Sequence, residues 1–232
     1  MAATQLFHDP TMVAGYAQDA PRKVPGLADL HRMAILLLAE CARPNAHVLV
    51  LGAGGGLELK AFADAQPHWH LHGVDPSAAM LDIARQVLAP LPDRIDLQQG
   101  YIEDAPQTAF DGATCLLTLH FLEPAERLRV LQQLRLRLKP GAPLVVAHHS
   151  QPPGADPHRW MTFSAAFAIP TIDFPAAAAS AETMVARLPL LSMAEEEALL
   201  REAGFADVAL FYAGFSFRGW VAYAAGDAAV TM

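Results

Sequence analysis

The sequence predicts an α/β fold, a mostly parallel sheet with helices on both faces, on three observations. Short apolar runs take turns with helix-periodic segments from His47 to His148. Those runs lack the in-out alternation of a half-exposed sheet, as strands covered on both faces should. A glycine-rich turn joins the first run to the helix that follows it.

The elements follow in order. Residues 1–24 read as irregular with one short helix around Tyr16, and Pro25 opens an apolar-periodic segment to Cys41 that Pro44 ends. Residues 47–51 form a first strand closed by glycines, 57–65 a helix, 69–74 a strand, 78–88 a helix and 95–99 a strand. Residues 113–119 read as the fourth strand. Glu123 and Pro124, an N-cap and a proline at the first helical position, open a helix to Leu138 that Lys139-Pro140-Gly141 stops. Residues 144–148 are the fifth strand.

After Ser150 the rhythm breaks. Residues 151–191 hold six prolines, the run Ala176 to Ala179, and Trp160, Phe163, Phe167 and Phe174, which together read as a helical insertion lying over a site as a lid. Ser192-Met193-Ala194-Glu195 is a capping box for a helix ending at Gly204. Residues 208–214 and 215–223 then read as two strands pairing antiparallel at the edge.

At 232 residues and 53% hydrophobic, the chain can bury one substantial core, so we expect a single domain over 1–232 with an N-terminal arm, 1–44. Sixteen basic against 24 acidic residues give a net charge of −8, which does not attract a phosphate backbone. Arg127, Arg129, Arg135, Arg137 and Lys139 are the one basic concentration and read as the solvated face of an amphipathic helix. Cys41 and Cys115 have no paired-ligand spacing, and His68, His70 and His72 lack an interleaved carboxylate or thiol, so no metal is expected. No leader pattern and no run of roughly 18 apolar residues occurs, and a soluble cytoplasmic protein is the expectation.

The segment Val48-Leu49-Val50-Leu51-Gly52-Ala53-Gly54-Gly55-Gly56-Leu57-Glu58 places backbone free of side chains where a ligand would approach a helix start. A dinucleotide fingerprint needs a third glycine at 57, which is Leu; glycines at 52, 54 and 56 give a G-x-G-x-G spacing instead. Asp75, in Gly73-Val74-Asp75-Pro76-Ser77, lies 23 residues after Gly52, where a carboxylate can accept both hydroxyls of a ribose; it also suits a cap for the next helix.

On these residues, and on the two closing strands, the chain from Val48 to Tyr223 resembles the class I S-adenosyl-L-methionine (SAM)-dependent methyltransferases, whose fold is a Rossmann-like seven-stranded sheet. The resemblance implies SAM as cofactor. It puts Gly52, Ala53, Gly54 and Gly56 along the methionine part, Asp75 and Pro76 at the ribose, and Tyr101, Ile102 and Glu103 or Asp104 around the adenine. Leu117, Thr118 and His120, at the end of the fourth strand, would border the sulfonium, and Tyr16 and Arg22 on the N-terminal arm would fold over the cofactor.

Val24-Pro25-Gly26 and Phe211-Tyr212-Ala213-Gly214-Phe215-Ser216-Phe217 are similar to the branch holding carboxy-SAM synthase and tRNA wobble-uridine enzymes. Two departures set this chain apart: Leu27 stands where the synthase has tyrosine, and the synthase's carboxylate-binding arginine falls near Ala181. The expectation is therefore methyl transfer to a small, partly apolar acceptor. A carboxy-SAM synthase or a non-catalytic SAM binder is the alternative, with a nicotinamide-dependent oxidoreductase behind both. A tRNA acceptor is not favoured, and a homodimer stays open. For general-base work the candidates are His120, His148 and His149, at strand ends where open α/β sheets bind ligands.

Overall fold

The computed structural model describes residues 16–91 and 93–226, with side chains from residue 19. Helices α1 (Tyr16–Lys23) and α2 (Leu27–Ala39) come first. The expected start of α2 at Pro25 moves to Leu27, because Gly26 takes a left-handed φ of 62° and turns the chain between the helices. The alternating part comprises β1 (His47–Leu51), α3 (Leu57–Ala65), β2 (His70–Asp75), α4 (Ala78–Leu88), β3 (Ile95–Gln99), β4 (Gly112–Leu116), α5 (Pro124–Leu136) and β5 (Pro143–His149). The insertion supplies α6 (Pro157–Phe167) and α7 (Phe174–Arg187), and α8 (Met193–Glu202), β6 (Phe205–Gly214) and β7 (Phe217–Ala224) close the chain.

Seven strands form one sheet in the order β3-β2-β1-β4-β5-β7-β6. The first five are mutually parallel, and β7 runs antiparallel to both β5 and β6. The closing pair thus forms the antiparallel margin, with β7 inserted beside β5 and β6 outermost. Strand order reverses between β1 and β4, and in such sheets a crevice opens there at the carboxyl ends.

Both faces are covered. Val48, Val50 and Leu71 pack with Leu30, Leu38, Leu59 and Phe62 on one side. Leu49, Val74, Val146 and Trp220 pack with Leu131, Leu134 and Leu200 on the other. Along β1 successive side chains therefore enter different cores, which is why its sequence shows no alternation. Among the described residues no helix is long and apolar enough to cross a membrane.

Two expectations need correction. The fourth strand stops at Leu116, not 119: Leu117 takes a positive φ of 58° while its N–H still reaches Ala147 O at 2.6 Å, and Leu119–Phe121 then form a 3₁₀ turn. The basic concentration is a solvated face only in part, at Arg129 and Lys139. Arg127 and Arg137 are 0% and 2% exposed while Leu136 is 74% exposed. Arg127 donates to Leu122 O and Pro189 O, Arg135 to Gly204 O and Ala225 O, and Arg137 to Ala105 O and Glu103 O. These guanidiniums stitch α5 to the loops around it.

Candidate functional site

The glycine turn is a hairpin of left-handed backbone, with φ of 79° at Gly52, 50° at Gly54 and 82° at Gly56. Glycine at 52 is required twice over, because a Cβ there would stand 2.1 Å from Thr118 Oγ1. Contact with Thr118 brings the end of β4 directly against the end of β1. The hairpin is fastened to β2: Gly52 and Ala53 N–H donate to Val74 O, and Gly54 N–H donates to Asp75 Oδ2 at 2.9 Å.

Asp75 is 9% exposed, and its Oδ1 accepts from Ser77 N–H at 2.9 Å, while Ser77 itself caps α4 by accepting from Met80 N–H. Each carboxylate oxygen thus holds one backbone donor and retains a lone pair. Burial raises the carboxyl pKa, and the two backbone N–H groups pull it back. Pro76 follows in the turn. Gly100 N–H binds Asp75 O, which sets the β3 end beside the same carboxylate.

At that end Tyr101 is 54% exposed and Ile102 fully buried in the core under β1. Asp104 accepts from Tyr101 N–H at 2.8 Å and so closes its own turn. Glu103 pairs with Arg129 at the surface, so its carboxylate is already engaged by a side chain. Arg22 is exposed on α1. Tyr16 opens that helix, and the expectation for its side chain lies outside the described residues.

The three candidate histidines do meet. His120 lies 4.9 Å from His149 and 6.5 Å from His148, ring centre to ring centre. As neighbours on β5, the last two diverge. His148 Nε2 stands 3.0 Å from Glu196 Oε1 and its ring sits 5.6 Å from Trp220. His149 stacks on Phe217 at 3.9 Å, and its Nδ1 shares a 2.7 Å hydrogen bond with Ser216 Oγ, which reaches Ser164 of α6 at 2.6 Å. The insertion is thereby keyed to the strand ends. Trp160, Phe163 and Phe174 pack edge to face, and Phe163 stacks on Phe215 in the β6–β7 turn, so the aromatic cluster is a joint of the insertion with the sheet.

The general-base expectation fails at His120 and His149. Burial, then the neighbouring histidines, pushes His120 well below its ordinary value, and burial followed by His148 takes His149 down to about 3. Both are neutral at pH 7 and weak as proton acceptors. Nδ1 of His120 is buried with no hydrogen-bond partner among the described residues.

The alternating histidines find other partners: His70 stacks on His47 at 4.8 Å, and His72 Nε2 bonds Gln98 Oε1 at 2.9 Å. Among the described residues no group of three or more histidines, cysteines and acids could hold a metal ion.

Sequence reasoning missed Glu58 and His31. Both line a cavity of about 20 Å³ with Gly52, Ala53, Leu116 and Leu117, at the foot of the hairpin. Glu58 is 7% exposed, and Thr114 Oγ1 donates to its Oε1. Burial lifts its carboxyl to about 7 against the Thr114 hydrogen bond, and burial lowers His31 to about 4. The signal was in the helix period: Glu58 sits four residues before buried Phe62, on the inward stripe of α3.

The residues present fit a nucleoside carrying an amino acid. They offer a hairpin of left-handed glycines at the strand-order reversal, an acid with lone pairs left beside it, and a second buried acid lining the cavity at its foot. Residues 49–144 match a family model described as a methyltransferase domain. The chain is similar to the carboxy-S-adenosyl-L-methionine synthase of Chromohalobacter salexigens, 29% identical over 224 residues, 93% of this chain and 82% of that protein. Human N-acetylserotonin methyltransferase in complex with SAM aligns over 96% of this chain and 59% of its own, at 15% identity and a TM-score of 0.64. An O-methyltransferase family protein from Burkholderia thailandensis aligns over 96% and 62%, at 15% identity and a TM-score of 0.66. At these identities the two structures share the fold, and this chain spans about three fifths of their length.

Proposed function

We propose that this chain, which belongs to the class I SAM-dependent methyltransferase family, transfers the SAM methyl group to a small and partly apolar acceptor. The observation that carries the reading is the left-handed glycine hairpin fastened through Gly54 to Asp75, at the strand-order reversal. SAM supplies a carbon already activated by positive sulfur, so the work left to the protein is alignment, worth about 7–11 kcal/mol.

In this reading Gly52, Ala53 and Gly54 lie along the methionine part and Gly56 turns the chain into α3. Asp75, oriented by Pro76 and by the two N–H groups it holds, accepts the ribose hydroxyls on its remaining lone pairs. Tyr101 borders the adenine, Ile102 anchors that turn in the core beneath it instead of touching the ring, and Glu103 contributes backbone alone. Leu117 and Thr118 border the sulfonium, and α1, with Tyr16 and Arg22, closes over the cofactor.

His120 and His149, neutral at working pH, orient the acceptor by hydrogen bonding and do not store its proton. A base adds about 10²–10⁴-fold only where the acceptor arrives protonated, so transfer does not depend on one. The single domain 1–232 carries residues 151–191 as its lid, with the aromatic joint as the apolar wall for the acceptor. Burial of Arg127 and Arg137, and the pairing of exposed Arg129 with Glu103 and Glu126, leave little free positive charge on this stripe, which argues against tRNA. Ala181, near which the synthase's carboxylate-binding arginine falls, carries no charge to hold a carboxylated cofactor, which favours methyl transfer over carboxy-SAM synthesis.

Calorimetry tests the reading. Wild type binds SAM, and Asp75→Ala loses about 100-fold in affinity, as expected for two charge-assisted hydrogen bonds. Undiminished binding by Asp75→Ala would remove the ribose assignment. Mass measurement of the nucleoside that copurifies with the protein separates SAM from carboxy-SAM.

A further inference from the structure

We propose that Glu58 is the counter-ion for the α-ammonium group of the cofactor's methionine portion; this rests on the SAM reading above. The carboxylate projects from the first turn of α3 into the cavity shared with Gly52, Ala53, Leu116 and Leu117. At about 20 Å³ that cavity holds roughly one water molecule, the size of an ammonium group.

Among the described residues no cation already answers the charge. Facing Glu58 from α2 is His31, neutral because burial depresses it. From β4 come Thr114, a hydroxyl, and Cys115, whose thiol burial and then the Glu58 charge push up, so that it stays protonated. Across the hairpin, bonded to Gly54 N–H, stands Asp75, another acid. On α3 itself Lys60 is spent on Asp64 at 2.6 Å near the surface. Thr114 serves one oxygen of Glu58, and the other has no hydrogen bond among the described residues.

A buried carboxylate without a cation is costly, and the protein relieves the cost by holding Glu58 partly protonated. An ammonium group entering the cavity reverses the balance. The carboxylic acid gives its proton to solvent, the carboxylate pairs with the ammonium, and neutral His31 neither repels the cation nor competes for the proton. Cofactor binding therefore expels a proton, and affinity rises as pH rises through about 7.

Titration calorimetry of the full chain in two buffers of different ionisation enthalpy, at pH 7, tests this with two probes. S-adenosylhomocysteine carries the ammonium group; methylthioadenosine lacks the whole amino-acid portion. Wild type is expected to release about half a proton with the first and none with the second. Glu58→Gln, checked for folding by its melting transition, is expected to bind S-adenosylhomocysteine about 10-fold more weakly and without proton release, and methylthioadenosine within about twofold of wild type. Equal weakening of both probes, or S-adenosylhomocysteine binding and proton release unchanged in Glu58→Gln, would overturn the counter-ion role and leave the SAM reading intact. Failure of wild type to bind either probe would overturn both.

Discussion

Glu58 and Glu196 are both buried, at 7% and 2% exposure, yet they titrate in opposite directions. Burial lifts Glu58 to about 7 because only a hydroxyl answers it. Burial works on Glu196 in the same sense, but His148 and Arg127 outweigh it and hold the carboxyl below its usual range. The first acid opens on a cavity beside the glycine hairpin, and the second is closed in between α5, α8 and β5. A buried charge that the fold has already compensated belongs to the architecture; one left uncompensated at a cavity awaits a ligand.

The largest effect on this contrast should come from the compensated side. Arg127→Ala strips Glu196 of its guanidinium and deprives Leu122 O and Pro189 O of their donors. Breaking a buried pair from one side costs about 3–5 kcal/mol, and chemical denaturation should read a loss of that size. A loss under about 1 kcal/mol would mean that the ion pair does not hold α8 to α5.

The uncompensated side should show the reverse pH dependence. Glu58 has a folded-state pKa raised above its unfolded value, so its contribution to stability is full below about 4.5 and is lost as pH rises to about 7, a decline of about 3 kcal/mol. Glu196, with a lowered pKa, stabilises above the unfolded value and loses that only as pH falls further. Urea unfolding from pH 5 to 8 should therefore find Glu58→Gln gaining on wild type as pH rises. Parallel profiles would show that Glu58 is not the group that titrates.

The same contrast explains what the sequence disclosed. The hairpin and Asp75 are made of backbone conformation and short-range spacing, which glycines at 52, 54 and 56 and an acid 23 residues after Gly52 announce directly. Strand and helix periods likewise set the element order. Glu58, Arg127 and Glu196 were harder, because a charged residue is read as solvated by default. Yet each sits on an inward stripe: Arg127 precedes buried Val130 and Leu131 by three and four residues, and Glu196 precedes buried Leu200 by four. What the period cannot supply is the partner, since Arg127 and Glu196 meet across 69 residues and His149 and Ser216 across 67. The end of β4 was overextended because Leu117 carries a positive φ that a leucine does not advertise.

The smallest expected effect sharpens the contrast from outside. Arg129, on the same helix as Arg127, pairs with Glu103 and Glu126, but it is 44% exposed and its partners 40% and 45%. Water screens both pairs, and ion pairs of that kind contribute about 0–1 kcal/mol. The turn that carries Ile102 does not rely on Arg129, because Asp104 closes it through Tyr101 N–H and Arg137 holds Glu103 O and Ala105 O from beneath. Arg129→Ala should therefore change stability by less than about 0.5 kcal/mol in denaturant titrations and leave SAM affinity within about twofold. A cost approaching that of Arg127→Ala would mean that sequence neighbourhood on α5, and not burial, decides which arginine the fold depends on.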